Sequence, residues 1–495
     1  MRLGGGEALS FEKSRHGRSG VNLPEPKVAV AELIAGIPAE LRRDDDILLP
    51  ELSEVDVVRH FTRLSRLNAS VEVHGYPLGS CTMKYNPRVH ESLVRLPGFA
   101  HLHPETPEHL AQGALQLMYE LGDALRIVTG LAGVTLVPAA GAHGELAGVM
   151  MIRKGLEKAG SKRDTILIPD SAHGTNPATC TVAGLKTKQI ASGPEGILRA
   201  DDVRQAMDDS IGGIMITNPN TLGLFETGIE EIAEIIHAAG GYVYMDGANL
   251  NALLGHARPG DFGVDALHIN LHKTFSQPHG GGGPGAGPVA VSDRLKPFLP
   301  YPRIEKIKGV DGQPYYRLDR DVVDTDSIGL MREFVGNFGV FVRSYAFILR
   351  LGGKGLQQVS EKAVLNANYV RARLEKDYEL CLKQPHLHEA VFTDSKQQVH
   401  HVSTIDVAKR LIDYGFHPPT VYFPLHVKNA LMIEPTESES KDSLDAFCDA
   451  MLEIAREVEE TPEIFHDAPY SSPVGRLDET AAARKPVLNW QMMER

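Results

Sequence analysis

Cysteine is scarce in this chain of 495 residues. Cys81, Cys180, Cys381 and Cys448 lie far apart and none forms a C-x-x-C pair. That spacing argues against a zinc site or a disulfide framework and suits reduced thiols. No basic excess exists either: the net charge is −13, which leaves nothing to neutralise a nucleic-acid backbone. No apolar run reaches the roughly 18–20 residues that cross a bilayer. The first twenty residues lack a hydrophobic signal core, and Glu7 and Glu12 suit a transit peptide poorly. Internal repeats and low-complexity tracts are missing as well. A cytoplasmic globular enzyme or assembly subunit is what remains, without nucleic acid or membrane as partner.

The length suits two or three domains. Residues 1–75, rich in Pro, Arg and Glu, read as an arm that wraps other parts of the protein or reaches a neighbouring subunit. Short helices are expected in it at Val28–Ile34 and Glu54–Ser65. A large α/β domain is expected over 76–340. Apolar strands in it fall at Val134–Val137, Thr165–Ile168, Gly213–Thr217, Tyr242–Asp246, Ala266–Asn270 and Gly287–Val291. Helices at Gly144–Lys158, Asp201–Met207 and Ile229–Ala239 alternate with them. That alternation implies a mostly parallel sheet covered on both faces, with ligands beyond the carboxyl ends of its strands. A long helix at Ser327–Leu351 and another at Gly355–Asp377 lead into a smaller C-terminal α+β domain over 341–460. Residues 461–495 form a tail over the surface.

Four segments sit at expected strand ends. Pro138 to Glu145 (PAAGAHGE) passes from strand through small residues into a helix, so Ala140, Gly141 and Ala142 would offer backbone N–H groups to a phosphate. An ordinary strand-to-helix turn uses the same residues. His173, in PDSAHGTNP, can stack on a flat ring, although its neighbours also suit a plain capping turn. Asp246 ends an apolar strand and needs a cationic partner if buried; taken alone, capping the next helix is its commoner use. Lys273 follows 27 residues later at another strand end, in HINLHKTFSQPHGGGGPGAG. Most lysines are merely solvated. An anion site, a ring-stacking group, a carboxylate and an amine in this order are what pyridoxal phosphate requires. Its aldehyde is held by lysine, and its protonated ring nitrogen is held by a carboxylate. Asn270 and Ala248, beside these residues, complete the expected cofactor set.

Competing chemistries lack their residues. No G-K-[ST] follows the glycines, so a P-loop is excluded. No G-x-S-x-G nucleophile elbow accompanies His279-Gly-Gly-Gly. His101/His103 and His386/His388 have ligand-like spacing but no H-E-x-x-H or cysteine context, so no metal site is expected.

The lysine segment resembles the signature of the glycine dehydrogenase (decarboxylating) family, the P-protein of the glycine cleavage system. GYPLGSCTMKYNP (75–87), DSAHGTNP (170–177), YMDGAN (244–249) and LMIEPTESE (431–439) extend the likeness over nearly the whole chain. The family's one-chain members are about twice as long, and the resemblance is to their lysine-bearing C-terminal half, subunit 2. It implies a fold-type I pyridoxal-phosphate transferase fold, like that of aspartate aminotransferase. It implies a covalent bond between Lys273 and the cofactor, Asp246 at the ring nitrogen, and His173 and Ala248 on the ring's two faces. His272 would position the substrate carboxylate or move protons, or simply pack. It implies glycine as substrate, the lipoyl group of H-protein as acceptor of the aminomethyl group, and subunit 1 as partner in a two-plus-two heterotetramer. The Gly280–Gly287 loop would admit the lipoyl arm or serve tight packing. A stand-alone aminotransferase or decarboxylase, and a non-catalytic scaffold subunit, are the alternatives; the retained Asp246 and Lys273 count against the scaffold.

Overall fold

A computed structural model of the chain describes residues 6–43, 45, 47–279, 285–310, 312–322, 326–489 and 492. Seven strands form the central sheet: β1 (Gly133–Thr135), β2 (Thr165–Pro169), β3 (Lys186–Ile190), β4 (Ile211–Thr217), β5 (Tyr242–Gly247), β6 (Ala266–Ile269) and β7 (Val289–Val291). Their order is β1-β7-β6-β5-β4-β2-β3. The pairs from β6 through β3 are parallel, and β7 is antiparallel to both β6 and β1. Every residue of β2, β4, β5 and β6 is buried. These strands read as continuous apolar runs because helices cover both faces.

The six expected strands are present, with ends shifted by a few residues. β3 was not expected. Its sequence KTKQI lies at the sheet edge with one residue buried, and its lysines are the charges that protect an edge from further pairing. The 18-residue helix Gln112–Thr129 precedes the sheet and ends on Gly130 in the left-handed conformation, φ 69°.

A hairpin, β8 (Arg303–Lys308) and β9 (Pro314–Asp319), follows the sheet. The expected helix over Ser327–Leu351 instead begins at Phe338. Residues 327–337 are irregular, with Gly329 and Gly336 at positive φ, so apolar spacing there imitated a helix. The helix Phe338–Leu374 runs through the expected Gly355–Asp377 segment and is broken once, at Gly352 (φ 59°, ψ −175°). Its N-terminal part packs Phe341 and Phe347 into the large core; its C-terminal part packs Val370 and Leu374 into a second core.

That second core belongs to an α+β unit. The antiparallel sheet of β10 (Glu379–Leu380), β11 (Ala390–Thr393), β12 (Thr420–Val421) and β13 (Ala430–Ile433) has the order β10-β11-β13-β12. Helices Thr404–Asp413 and Lys441–Glu460 supply Leu411, Phe447 and Met451 to the same core. Beyond it, buried Phe465 and the Arg476–Asp406 ion pair at 2.5 Å hold the following segment down.

Of the two readings of the arm, wrapping the body and reaching a neighbouring subunit, the described residues do not show the first. Glu54–Ser65 is a helix as read, capped by Ser53, and Val30–Ala35 replaces Val28–Ile34. Glu7 bonds His60 and Arg63 of the first helix. The described residues from Arg15 to Leu49 are nevertheless exposed, Leu23 and Leu48 among them, and do not wrap the body. Their apolar side chains find no surface of the same chain to cover. No helix among the described residues is long and apolar enough to cross a membrane.

Phe392 on β11 is fully buried and meets Tyr378 edge-on at 6.4 Å. Phe392→Ala is expected to cost about 3–5 kcal/mol of stability, read as a lowered thermal midpoint with the large-domain secondary structure retained.

Candidate active site

The carboxyl ends of β4, β5 and β6 meet at a cavity of about 390 Å³. In register, Thr217 of β4 lies beside Asp246 of β5, and Asp246 lies beside His268 of β6. All nine residues expected at a cofactor site line this one cavity. A larger hollow of about 770 Å³, floored by Ala139 and Gly285, contains none of them.

Asp246 lies at the foot of the cavity, 4% exposed. Burial acts to raise its carboxyl, but His268, the Ala248 amide, Lys273 and Asn176 outweigh burial and hold it below the ordinary carboxylate range. Its Oδ1 accepts from the Ala248 N–H at 2.9 Å and lies 3.3 Å from His268 Nε2; its Oδ2 accepts from Asn176 Nδ2 at 3.3 Å. A carboxylate only accepts, so His268 carries its proton on Nε2. Its Nδ1 then accepts from the Tyr244 hydroxyl at 2.7 Å. Tyr244, fully buried, has its hydroxyl raised well above the usual phenol range by burial. Ala248 thus has two roles: its amide fixes Asp246, and its methyl lies in the cavity wall.

Lys273 sits in the short helix Leu271–Thr274 that follows β6, and its Nζ donates to the Ser80 carbonyl at 2.8 Å. His272 and His279 meet edge-on, 5.2 Å between rings. Burial, with His279 and Lys273 nearby, pushes His272 down to about 3. His272 is therefore neutral at working pH.

Across the cavity the helix Gly141–Lys158 begins, with Ala140 as its extended N-cap. First-turn amides of a helix lack internal acceptors, so Ala140, Gly141 and Ala142 present donors and the positive helix end to the cavity. Gly287 packs against this turn: a Cβ on it would stand 2.1 Å from the Ala140 carbonyl oxygen. That end of the glycine loop is required for close approach of two backbones. Residues 280–284 lie outside the described residues. His173 is exposed at the mouth, 5.7 Å from the Phe423 ring and tilted 57° to it.

Several residues here carried no sequence signal of their own. Glu145, one turn into the helix, accepts from Thr175 Oγ1 (2.8 Å), Asn176 Nδ2 (3.0 Å) and Thr179 Oγ1 (3.3 Å). Thr217, Ser80, Cys81, Thr420 and Phe423 line the wall. Thr217 lies at a strand end, which is the one sign that marked it beforehand. Thr217 Oγ1 and Asn270 Oδ1 are buried without a hydrogen-bond partner, and such oxygens in a cavity wall await a ligand.

Ligand-type atoms of Glu145, Asp246 and His268 lie within 4.8 Å of one another, as do those of His388, Glu389 and Glu434. Donor hydrogens already occupy both groups: Asn176 spans Glu145 and Asp246, and Thr82 bonds Glu434. His386 stands apart from this cluster, buried, with neither ring nitrogen partnered.

Two family models match the chain: glycine cleavage system P-protein over residues 28–327, and the C-terminal domain of glycine dehydrogenase over 359–469. The chain is 52% identical over 486 residues to a probable glycine dehydrogenase (decarboxylating) subunit 2 of Bacillus velezensis, covering 98% of each. It is 51% identical over 484 residues to a protein so described from Caldanaerobacter subterraneus subsp. tengcongensis, again 98% of each. Among solved structures, an inhibitor-bound glycine decarboxylase (P-protein) of the glycine cleavage system superposes with a TM-score of 0.73 at 22% identity. The match covers 86% of this chain and 95% of that one. An aspartate aminotransferase from Thermus thermophilus gives 0.58 at 16%, over 77% and 99%. These likenesses establish the fold-type I architecture of pyridoxal-phosphate enzymes.

Burial, then Arg371, pushes His386 down to about 4, whereas an unfolded histidine titrates near 6.5. The unfolded chain therefore binds the extra proton, and stability falls as pH drops from about 6.5 toward 4. A His386→Phe variant is expected to lose on the order of 2–3 kcal/mol of that acid sensitivity, measured as thermal midpoint against pH.

Proposed function

The chain belongs to the glycine dehydrogenase (decarboxylating) family, the P-protein of the glycine cleavage system, as a glycine-decarboxylating subunit 2; we propose that it is the subunit that carries pyridoxal phosphate, bound covalently through Lys273. One observation carries this reading. A buried carboxylate, Asp246, and an amine, Lys273, delivered by adjacent strands, face one cavity across from a helix N-terminus. A scaffold subunit has no use for that arrangement.

The residues fit the cofactor. Ala140, Gly141 and Ala142 would take the phosphate on their amides and the helix end. Asp246, held ionised, would keep a proton on the pyridine nitrogen. His173 would lie on one ring face and Ala248 on the other. Asn270 and Thr217 supply unpartnered oxygens for the ring substituents and the substrate. When bound, pyridoxal phosphate supplies a sink for the electron pair left on the glycine α-carbon as the carboxylate departs as carbon dioxide.

The protein residues decide how far that sink works. The Ala248, Asn176 and His268 bonds keep Asp246 charged in a buried position, where its attraction for the ring N–H would be strong. Lys273 would hold the cofactor's aldehyde and would supply the amine that reclaims it when product leaves. Neutral His272 bounds the cavity without offering a competing charge. In the overall reaction, one sulfur of the oxidised lipoyl group on H-protein takes the aminomethyl carbon, the S–S bond breaks, and the other sulfur leaves as a thiol.

A subunit 1 completes the enzyme, in an assembly of two plus two, in the cytoplasm. The free cysteines and the exposed apolar stretch of the arm agree with that setting.

Lys273→Ala is expected to abolish the borohydride-fixable visible absorbance of the holoprotein. Asp246→Asn is expected to keep that absorbance and lower glycine decarboxylation by at least about 100-fold, the scale of losing one aligned charge. Bicarbonate–glycine exchange should require subunit 1 and H-protein; full exchange by this chain alone would refute the divided enzyme.

A further inference from the structure

Pro77 to Tyr85 cross from the small domain to the catalytic lysine. Leu78 bridges to Ile433, the Pro77 carbonyl accepts from the Glu434 N–H, and the Gly79 carbonyl accepts from Thr420 Oγ1 at 2.8 Å. Gly79 permits this contact: a Cβ there would stand 2.2 Å from Met432 Cγ. Ser80 and Thr82 then adopt φ 63° and 51°, a left-handed conformation that a β-branched residue adopts only when held.

Two fully buried carboxylates of the small domain hold them. Glu389 Oε2 accepts the Ser80 N–H at 2.9 Å. Glu434 accepts the Thr82 N–H at 2.9 Å on Oε2 and the Thr82 hydroxyl at 2.6 Å on Oε1. Ser80 is thus held at both of its backbone polar groups: its N–H on Glu389, its carbonyl on Lys273 Nζ. Lys84, buried, adds a second tie, from Glu437 (2.7 Å) to the carbonyl of Thr274, the residue after the lysine (2.9 Å).

We propose that Glu389 and Glu434 are positioning residues for Lys273: through this strap they hold the Ser80 carbonyl as the resting acceptor for the lysine amine while glycine occupies the lysine's place on the cofactor. The inference rests on the reading of Lys273 as the cofactor-bearing residue. An amine displaced in mid-cycle must be kept near and oriented for return, and a fixed carbonyl 2.8 Å away does both.

The two carboxylates are not equivalent. Burial raises both, Glu389 further because Glu434 lies beside it. Glu434 receives two short bonds from Thr82; Glu389 receives one, and its Oε1 has only His388 Nε2, at 3.5 Å. Protonation is therefore favoured on Glu389 over Glu434. Lys273, Lys84, Cys81 and His388 are the other titratable groups facing the pair, and burial pushes His388 down to about 3, leaving it neutral. Because the folded chain favours protonated Glu389, its contribution is full below the ordinary carboxylate range and is lost as pH rises from there to the raised value.

Full-length chain assembled with its partner subunit, and the cofactor-free chain, are compared as wild type, Glu389→Gln, Glu389→Ala and Glu434→Gln. Two quantities are read: thermal midpoint of the cofactor-free chain against pH, and the rate at which it captures added pyridoxal phosphate as visible absorbance. Glu389→Gln, which mimics the neutral acid, should capture cofactor within about twofold of wild type and lose the part of the fall in thermal midpoint that Glu389 contributes as pH rises above the ordinary carboxylate range. Glu389→Ala and Glu434→Gln should capture it at least about tenfold more slowly, the scale of one lost charge-assisted bond. Unchanged capture by both overturns the proposal. If Glu389→Ala does not fold, an unaltered dependence of thermal midpoint on rising pH in Glu389→Gln overturns it instead. Absence of any visible band in wild type overturns the Lys273 reading, a separate outcome.

Discussion

Keeping a buried carboxylate ionised is the constraint around which this molecule is arranged. Asp246 sits at the end of a strand buried on both faces, and a lone charge there would cost several kcal/mol. The surrounding polar groups exist in the proportion that cost requires. His268 from the next strand donates one proton and passes the demand to Tyr244, an ordinary-looking core residue two positions before Asp246 on its own strand. Asn176 is shared with Glu145, which draws in Thr175 and Thr179. The packing of β5, β6 and the first cavity helix and the electrostatics of the site are therefore one problem with one solution.

On the far side of Lys273 the opposite solution is adopted. Glu389 and Glu434 are also buried, but they lie side by side, and like charges at that range favour retaining a proton. One amine thus has an ionised carboxylate system below it and a proton-bearing one behind it. Environments that drive chemically similar groups apart are how a protein assigns them different tasks.

The parts of this arrangement legible in the sequence were those carried by local pattern. The buried strands β2, β4, β5 and β6 announced themselves as apolar runs, and Asp246 and Lys273 stood at their ends. β3 escaped because an edge strand wears lysines, and residues 327–337 deceived because apolar spacing does not reveal two glycines at positive φ. Glu145, Asn176, Glu389 and Glu434 were illegible for a different reason. Each is one polar residue among many until a distant segment is folded against it, as Ser80 is against Glu389, 309 positions away. The GYPLGSCTMKYNP segment was noticed through family likeness alone; its function as a tether is a property of the tertiary structure.

The break at Gly352 acquires a mechanical meaning in this light. The two cores are joined by a rod with a single joint, and the strap around Ser80 is a second, parallel link between the same bodies. A rod and a tether fixed at different points form a linkage in which rotation at the joint has a defined output. If the small domain turns about Gly352, Glu389 and Glu434 move with it, and the displacement is delivered to the peptide that touches Lys273. The distance between lysine and carbonyl is in that sense a gauge of how the two halves of the chain are set against each other.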